Sequence, residues 1–537
     1  MKRWPYALPV VAAVLFLLPT VLDAHFGLLD DAITILNARA IPREPFSPFV
    51  STAGSGRFFP VYLYYYGFVY LFSGTHATGF YLANLAALCG IVLLLTWTAR
   101  RWGGSPAQCA LTGLVFVVSQ PVATTFNTLS KAEVPQCLFL ALALAIAATD
   151  LHWRTRTVLA AISVLLAVWS KETGYAVVGA AGSAFLAVAV RTKSWRKAIG
   201  SRQGVFLAAT AVGALAAFIA WKLIQPAGIA RGSYGAQYQV SLARLTGTAW
   251  DLGGYLMRSG AFWIPLLIAL PPAWRRVNSF SRTALVEGML WMGCFLAILL
   301  PWPAVFEYQM TPAMMGLALA GGFAIPAFWK LGKGYRFAAL AATVVLAFHV
   351  VNAMGAASTQ RTIDRANAQM VERLASLPRG SQAYLAIPES EYTNEAKLHV
   401  QELYGRSDIS VTPLPRALPA VPPGQEATIA ALRATGLEAP LIRVGFRDTD
   451  TYEWMKQLES TLGPEQPRQV MSVVGASEQV ADFAFQNLLC HPDLRALSVP
   501  CRQRGPIYTE RTVSVIWTLY RIPGSGPSVI RNAGRAP

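Results

Sequence analysis

Charged side chains are scarce in this sequence. Only 14% of its 537 residues are Asp, Glu, Lys or Arg, against about 25% in an average soluble domain. Cysteine is sparse too, six in all. No CxxC pair occurs, which speaks against a metal knuckle. Cys89, Cys109, Cys137 and Cys294 fall in or beside apolar segments and read as small hydrophobes. Cys490 and Cys501 lie near the C-terminus, where an extracytoplasmic setting would allow a disulfide. No P-loop, dinucleotide-binding glycine pattern, HExxH or GxSxG occurs in a meaningful context. ATP use, zinc proteolysis and serine hydrolysis are therefore unsupported.

Acidic residues are the rarest charges in the first two-thirds. Residues 1–356 hold 26 Lys+Arg but only ten Asp+Glu, a net of +16. Residues 357–537 are nearly balanced, 19 against 18. The strong overall basicity thus belongs to the apolar part, and no nucleic-acid partner is needed to account for it.

What is abundant is apolar sequence. Eleven apolar segments lie near 5–22, 78–98, 108–123, 134–149, 157–170, 173–190, 204–222, 253–270, 284–300, 310–329 and 337–354. A bilayer core of roughly 30 Å needs about 20 helical residues, so several are short. The pattern predicts a polytopic α-helical membrane protein with about eleven spans. Lys2 and Arg3 before the first run resemble a signal-peptide start, but the run is long and reads as an uncleaved helix.

Orientation follows from the basic residues. With the N-terminus inside, cytoplasmic segments carry 17 Lys+Arg and the outer loops before residue 356 carry seven. That asymmetry matches the positive-inside rule. It predicts a bacterial inner-membrane protein with residues 357–537 outside. Arg57–Phe72, RFFPVYLYYYGFVYLF, is rich in Tyr and Phe and reads as a helix at the outer surface rather than a span. It lies within a long first outer loop, 23–77.

This topology puts eight of the ten acidic residues at the outer face: Asp23, Asp30, Asp31, Glu44, Glu133, Glu172, Asp251 and Glu307. Taken singly, each reads equally well as a loop or snorkelling charge. As a set they differ from snorkelling ends, which are mostly Lys and Arg. Asp30 and Asp31 suit general-base work. Arg57, Lys131 and Lys171 suit a phosphate cradle. Glu133, Glu172, Glu307 and Tyr308 are candidate supporting residues. Together they suit transfer of a group from a lipid phosphate to a hydroxyl or amine.

Four stretches carry a family resemblance. LLDDAITILNA at the first outer loop is similar to an Asp-Asp motif, and GRFFPVYLYYY to an Arg-x-x-Pro surface helix. LAVWSKETGYAV resembles a Ser-Lys-Glu loop, and FEYQMTPAMMG a segment opening a late helix. These resemble the GT-C membrane glycosyltransferases, which include protein O-mannosyltransferases and lipid A aminoarabinose transferases. The resemblance covers residues 1–355 in layout. It implies a polyprenyl-phosphate-linked sugar donor, a lipid, glycan or protein acceptor, and an inverting single displacement. It implies Asp30 as the catalytic acidic position, Asp31 as its neighbour, and Arg57 and Lys171 toward the donor phosphate. FEYQMTPAMMG lacks the Arg that often follows the Glu. The sequence leaves metal use open, since paired Asp also suits Mg²⁺ or Mn²⁺.

Residues 357–537 read as an α/β domain. Residues 361–377 have helical spacing, as does YEWMKQLESTL at 452–462. AYLAIP at 383–388, LIRVGF at 441–446 and SVIWTLYRI at 514–522 read as strands. Pro-rich 413–424 reads as a loop. The domain is either a packing module or an acceptor-recognition module. Two rival functions stay open: a transporter or lipid flippase with charges along a pathway, and a glycan ligase or polymerase using a diphosphate-linked donor.

Overall fold

The computed structural model describes residues 4–28, 30–53, 58–224, 240–302, 305–386, 390–414, 426–435, 469–483 and 508–523. The chain is mostly helical and divides into two compact units. The first comprises Met1–Ala24, Asn37–Ser358 and Ala481–Glu510. The second comprises His25–Leu36, Thr359–Val480 and Arg511–Pro537. The short segment His25–Leu36, which carries Asp30 and Asp31, thus groups with the C-terminal part.

In the first unit, every expected apolar segment falls on helix. Among the described residues, six helices are long and apolar enough to cross a membrane, or eight if each of two bent pairs counts as one. The chain is a multi-pass membrane protein. Glu133–Ala147 has only 15 residues. Trp153–Ser170 starts with Arg154 and Arg156. Both are shorter or less apolar than the six for that reason.

The expected span near 253–270 straddles Leu242–Gly260 and Trp263–Ala273, which meet at 87°. Pro265 lies in the first turn of the second helix. Proline lacks an N–H, which costs no intrahelical bond at that position, so Pro265 is compatible with a helix that starts at Trp263. Similarly, Pro121 opens Gln120–Phe126, which bends 60° from Pro106–Val117. That preceding helix is fixed at its start by a capping box between Ser105 and Gln108.

The centre of this unit is the Thr311–Trp329 helix. It lies within Glu307–Trp329, whose apolar window is 94% buried. Close approach depends on missing side chains. A Cβ on Gly316 would lie 2.3 Å from the carbonyl oxygen of Gly288, on Ser279–Ala297. Small residues let membrane helices pack backbone to backbone.

The second unit contains a five-stranded sheet. Its strands are β1 Gln382–Ala386, β2 Ser410–Pro413, β3 Glu426–Thr435, β4 Gln469–Phe483 and β5 Tyr508–Pro523. The order is β2-β1-β3-β5-β4. β1 pairs in parallel with β2 and β3, and β3 pairs antiparallel with β5. Alternate strand residues such as Leu385, Val515, Trp517 and Leu519 enter one core with Met370 and Leu374 of the Lys333–Ala375 helix. Trp517 Nε1 donates to Asn367 Oδ1 at 3.1 Å, which satisfies its one polar atom. The expected strands at 383–388 and 514–522 and the helix at 361–377 are observed with shifted ends. Those at 441–446 and 452–462, and both Cys490 and Cys501, lie outside the described residues.

Gly316→Ala is expected to force the two central helices apart and cost about 1–3 kcal/mol, as overpacking does. Gly293→Ala, on the same Ser279–Ala297 helix but with nothing within 4 Å of an added Cβ, is expected to be neutral or slightly stabilising. Thermal unfolding in detergent compares them; equal melting temperatures would contradict the packing.

Candidate active site

Lys131 lies in an irregular turn, residues 127–132, between Gln120–Phe126 and Glu133–Ala147. An irregular backbone in an apolar unit needs internal hydrogen-bond partners. Side chains from two other helices supply them. Asn84 Nδ2 donates to the carbonyls of Phe126 at 3.3 Å and Thr128 at 3.4 Å. The Tyr81 hydroxyl reaches the Asn127 carbonyl at 3.5 Å. The Tyr62 hydroxyl donates to the Ser130 carbonyl at 3.3 Å, and the Lys131 N–H donates to Tyr66 Oη at 3.2 Å. Ser130 itself has a positive φ of 58°.

Tyr62 and Tyr66 belong to the aromatic stretch read as a lipid-surface belt. On the Pro60–Ser73 helix they are instead buried, four residues apart on one face. Phe68, Leu71 and Phe72 of the same helix are exposed. The helix is thus two-sided, and its tyrosine face holds the lysine turn. Arg57 lies outside the described residues.

The turn brings several candidate residues together. Lys131 is 4% exposed and Lys171 7%. Lys171 Nζ pairs with Glu133 Oε1. Lys171 stands at an extended residue, φ −160°, between Trp153–Ser170 and the 3-10 turn Glu172–Tyr175. Gln136, one helical turn after Glu133, donates to the Lys171 carbonyl at 3.2 Å and to Thr173 Oγ1 at 3.0 Å. The ammonium of Lys131 lies 4.6 Å from the Tyr308 ring centroid and that of Lys171 5.3 Å. Lys131 forms no ion pair among the described residues. Glu307 is buried, and its Oε2 accepts from Thr124 Oγ1 at 3.3 Å. The Tyr308 carbonyl accepts from Thr311 Oγ1 at 2.8 Å and Thr125 Oγ1 at 3.3 Å, which fixes the ring's backbone. Glu172 is half-buried in its 3-10 turn.

Asp30 and Asp31 are placed within the second unit. Asp30 is exposed, with a positive φ of 67°. Its carbonyl accepts from Thr34 N at 3.0 Å, so it occupies the N-cap position of the Asp31–Ala40 helix. An N-cap Asp usually accepts the next free N–H groups with its own carboxylate. Here Glu395 takes them: Ala32 N donates to Oε2 at 2.8 Å and Ile33 N to Oε1 at 3.3 Å. The carboxylate of Asp30 is thereby released from capping. Asp31 is 2% exposed, and its Oδ2 accepts from Gly27 N at 2.7 Å. A Cβ on Gly27 would lie 2.7 Å from Asp364 Oδ1 and 3.4 Å from Asp31 Oδ2. His399 Nε2 lies 3.0 Å from the Gly27 carbonyl. Burial lowers this imidazole to about 4, so it is neutral and donates from Nε2. Burial first, and then Asp31 and Asp30, push Glu395 up to about 8 against the pull of its two N–H donors.

Sequence reading missed Glu395 and His399. Their spacing of four within SEYTNEAKLH was the available signal, one face of a helix turn. Among the described residues no group of three metal-ligating side chains is arranged to hold an ion.

No protein-family model matches the chain, and the search of curated proteins found no match. Among solved structures it is similar to ArnT from Cupriavidus metallidurans bound to undecaprenyl phosphate. That likeness has 13% identity and a TM-score of 0.48, and covers 96% of this chain and 98% of that one. The apo state of the same protein gives 14%, 0.47, 95% and 97%. The Archaeoglobus fulgidus oligosaccharyltransferase tethered to an acceptor peptide gives 12%, 0.47, 77% and 64%. Both are GT-C glycosyltransferases, the class the motifs resemble.

The Glu395 carboxyl carries a pH prediction. Its folded-state value, about 8, is above the ordinary 4.5. The folded chain therefore holds its proton more tightly than the unfolded chain, and the stability this brings is complete below about pH 4.5 and lost as pH rises toward 8. Glu395→Gln is expected to flatten that slope in thermal unfolding of the full chain between pH 5 and 8. An unchanged slope would refute the assignment.

Proposed function

We propose that this chain is a glycosyltransferase that moves a sugar from a polyprenyl-phosphate-linked donor to a lipid, glycan or protein acceptor. One observation carries the reading: Lys131 is a buried ammonium with an aromatic ring, and no carboxylate among the described residues, as its partner. A cation–π contact contributes about 0.5–2 kcal/mol. Desolvating an ion costs several kcal/mol. An anion completes that balance, and next to Lys171 and Glu133 a phosphate fits the charge.

The topology belongs to the same proposal: eleven spans, the N-terminus inside, and residues 357–537 on the outer face of a bacterial inner membrane. Donor class and inversion follow the motif resemblance. In the reaction, Asp30 accepts a proton from the acceptor hydroxyl or amine. The acceptor's electron pair forms a bond to the anomeric carbon. The bond from that carbon to the phosphate oxygen breaks, and the polyprenyl phosphate leaves with the electron pair. Lys131 stabilises the charge that develops on it, and Lys171, paired with Glu133, orients the phosphate. Asp30 supports the base role through its exposure and its freedom from capping.

Two substitutions test the roles separately. Lys131→Ala is expected to weaken binding of polyprenyl phosphate by roughly 10- to 100-fold, the worth of a charged hydrogen bond. Lys131→Arg should recover part of it. Asp30→Asn is expected to lower kcat by about 10²–10⁴-fold with donor binding unchanged. Folded variants with wild-type binding and turnover would sink the proposal.

A further inference from the structure

A second charged cavity opens in the first unit, away from the lysine turn in sequence and lined by different helices. Its volume is about 520 Å³, within the range of small-molecule sites, about 300–1,000 Å³. One wall is Ala184, Ala187, Val188 and Arg191, a single face of the Ala176–Thr192 helix. The facing wall is Arg282, Thr283, Val286 and Glu287 on Ser279–Ala297, and Trp274 also lines the cavity. Two alanines on one wall leave room where larger residues would fill the gap.

The polar groups are unevenly matched. Glu287 is already engaged: Arg202 Nη2 donates to both its oxygens at 3.2 Å, and Gln203 Nε2 donates to Oε1. Arg191 Nη1 donates to Thr283 Oγ1 at 2.7 Å. Neither Arg191 nor Arg282 forms an ion pair among the described residues. Arg282 Nε is buried and has no hydrogen-bond partner. Two guanidiniums with spare donors therefore face one cavity, and one has a donor out of water's reach. Such a fork matches a phosphate.

The surroundings distinguish a lipid from a free anion. Arg191 and Arg282 are cationic and near helix ends, whereas Ala184, Val188 and Val286 are apolar and further along the same helices. Beside them the short helix Trp195–Ile199 exposes Trp195 and Ile199 along with Arg196 and Lys197, and Phe280 is exposed on the facing helix. Exposed aromatics among basic residues mark the headgroup layer of a membrane. We propose that this cavity binds the headgroup phosphate of an anionic phospholipid between Arg191 and Arg282, with the glycerol end of an acyl chain against Ala184, Val188 and Val286.

The test uses the full chain, stripped of lipid and then offered phosphatidylglycerol or phosphatidylcholine in mixed micelles. Retained lipid is counted by native mass spectrometry. The wild type should retain phosphatidylglycerol preferentially. Arg191→Ala with Arg282→Ala should lower that retention by roughly thirtyfold. Ala187→Leu, which fills the cavity and keeps both charges, should lower it as well, and so separates a site from general attraction. Lys330→Ala, which removes a basic residue that does not line the cavity, should leave it unchanged. Thermal unfolding verifies that each variant is folded. Equal retention of both lipids, or an unchanged folded double variant, would overturn the proposal. So would a loss in Lys330→Ala equal to that of the double variant. Displacement of the lipid by millimolar inorganic phosphate would reassign the cavity to a free anion and also overturn it.

Discussion

The first unit depends on one constraint: a backbone turn inside an apolar bundle must have every polar group paired. Residues 127–132 break a helix where unpaired carbonyls would each cost several kcal/mol in hydrocarbon. Asn84, Tyr81, Tyr62 and Tyr66 meet that demand from two helices. The result is a turn fixed by side chains at several of its peptide groups, with Lys131 within it. Positioning of the ammonium is thus a by-product of satisfying the backbone. The same logic explains why the aromatic stretch at 60–66 carries tyrosines rather than phenylalanines on its inner face.

In the second unit a different conflict governs. Carboxylates favour a helix N-terminus, through its free N–H groups and its dipole. Glu395 accepts two such groups while buried near Asp31 and Asp30. Like charges so close cannot all ionise cheaply. Glu395 is the one pushed up to about 8, because burial adds to the repulsion. A buried partner that caps the helix leaves the exposed carboxylate of Asp30 without a capping role.

The membrane helices were legible in the sequence because apolar runs have few other uses at that length. Lys131, Lys171 and Glu133 were legible as candidates because charge is conspicuous in such runs, and Tyr308 through the FEYQMTPAMMG resemblance. Their mutual geometry was not. Glu133 and Lys171 are 38 residues apart and meet only through packing of Glu133–Ala147 against Trp153–Ser170. The right-angle break after Gly260 was hidden because hydropathy does not register direction, although Pro265 marks it. Glu395 was hidden for the opposite reason. In a domain of ordinary charge content, one more glutamate on a polar helix carries no signal until its partners are known. The burial of Tyr62 and Tyr66 was not legible because composition cannot separate the two faces of one helix.

The unequal partnering of the two lysines bears on how such a site would favour reaction over mere binding. Lys171 is held by Glu133, so it gives position and little net field. Lys131 faces the same ring without an ion pair among the described residues. A phosphodiester donor carries one negative charge, whereas a departing phosphomonoester carries about 1.5 to 2. The charge therefore grows on the leaving oxygen as the sugar bond breaks. A cation already neutralised by a carboxylate gains least from that growth, and one without such a partner gains most. Only interactions that strengthen toward the transition state raise kcat. In the proposed reaction Lys171 therefore serves orientation, and Lys131 supplies the part of the electrostatic stabilisation that rises as the donor departs.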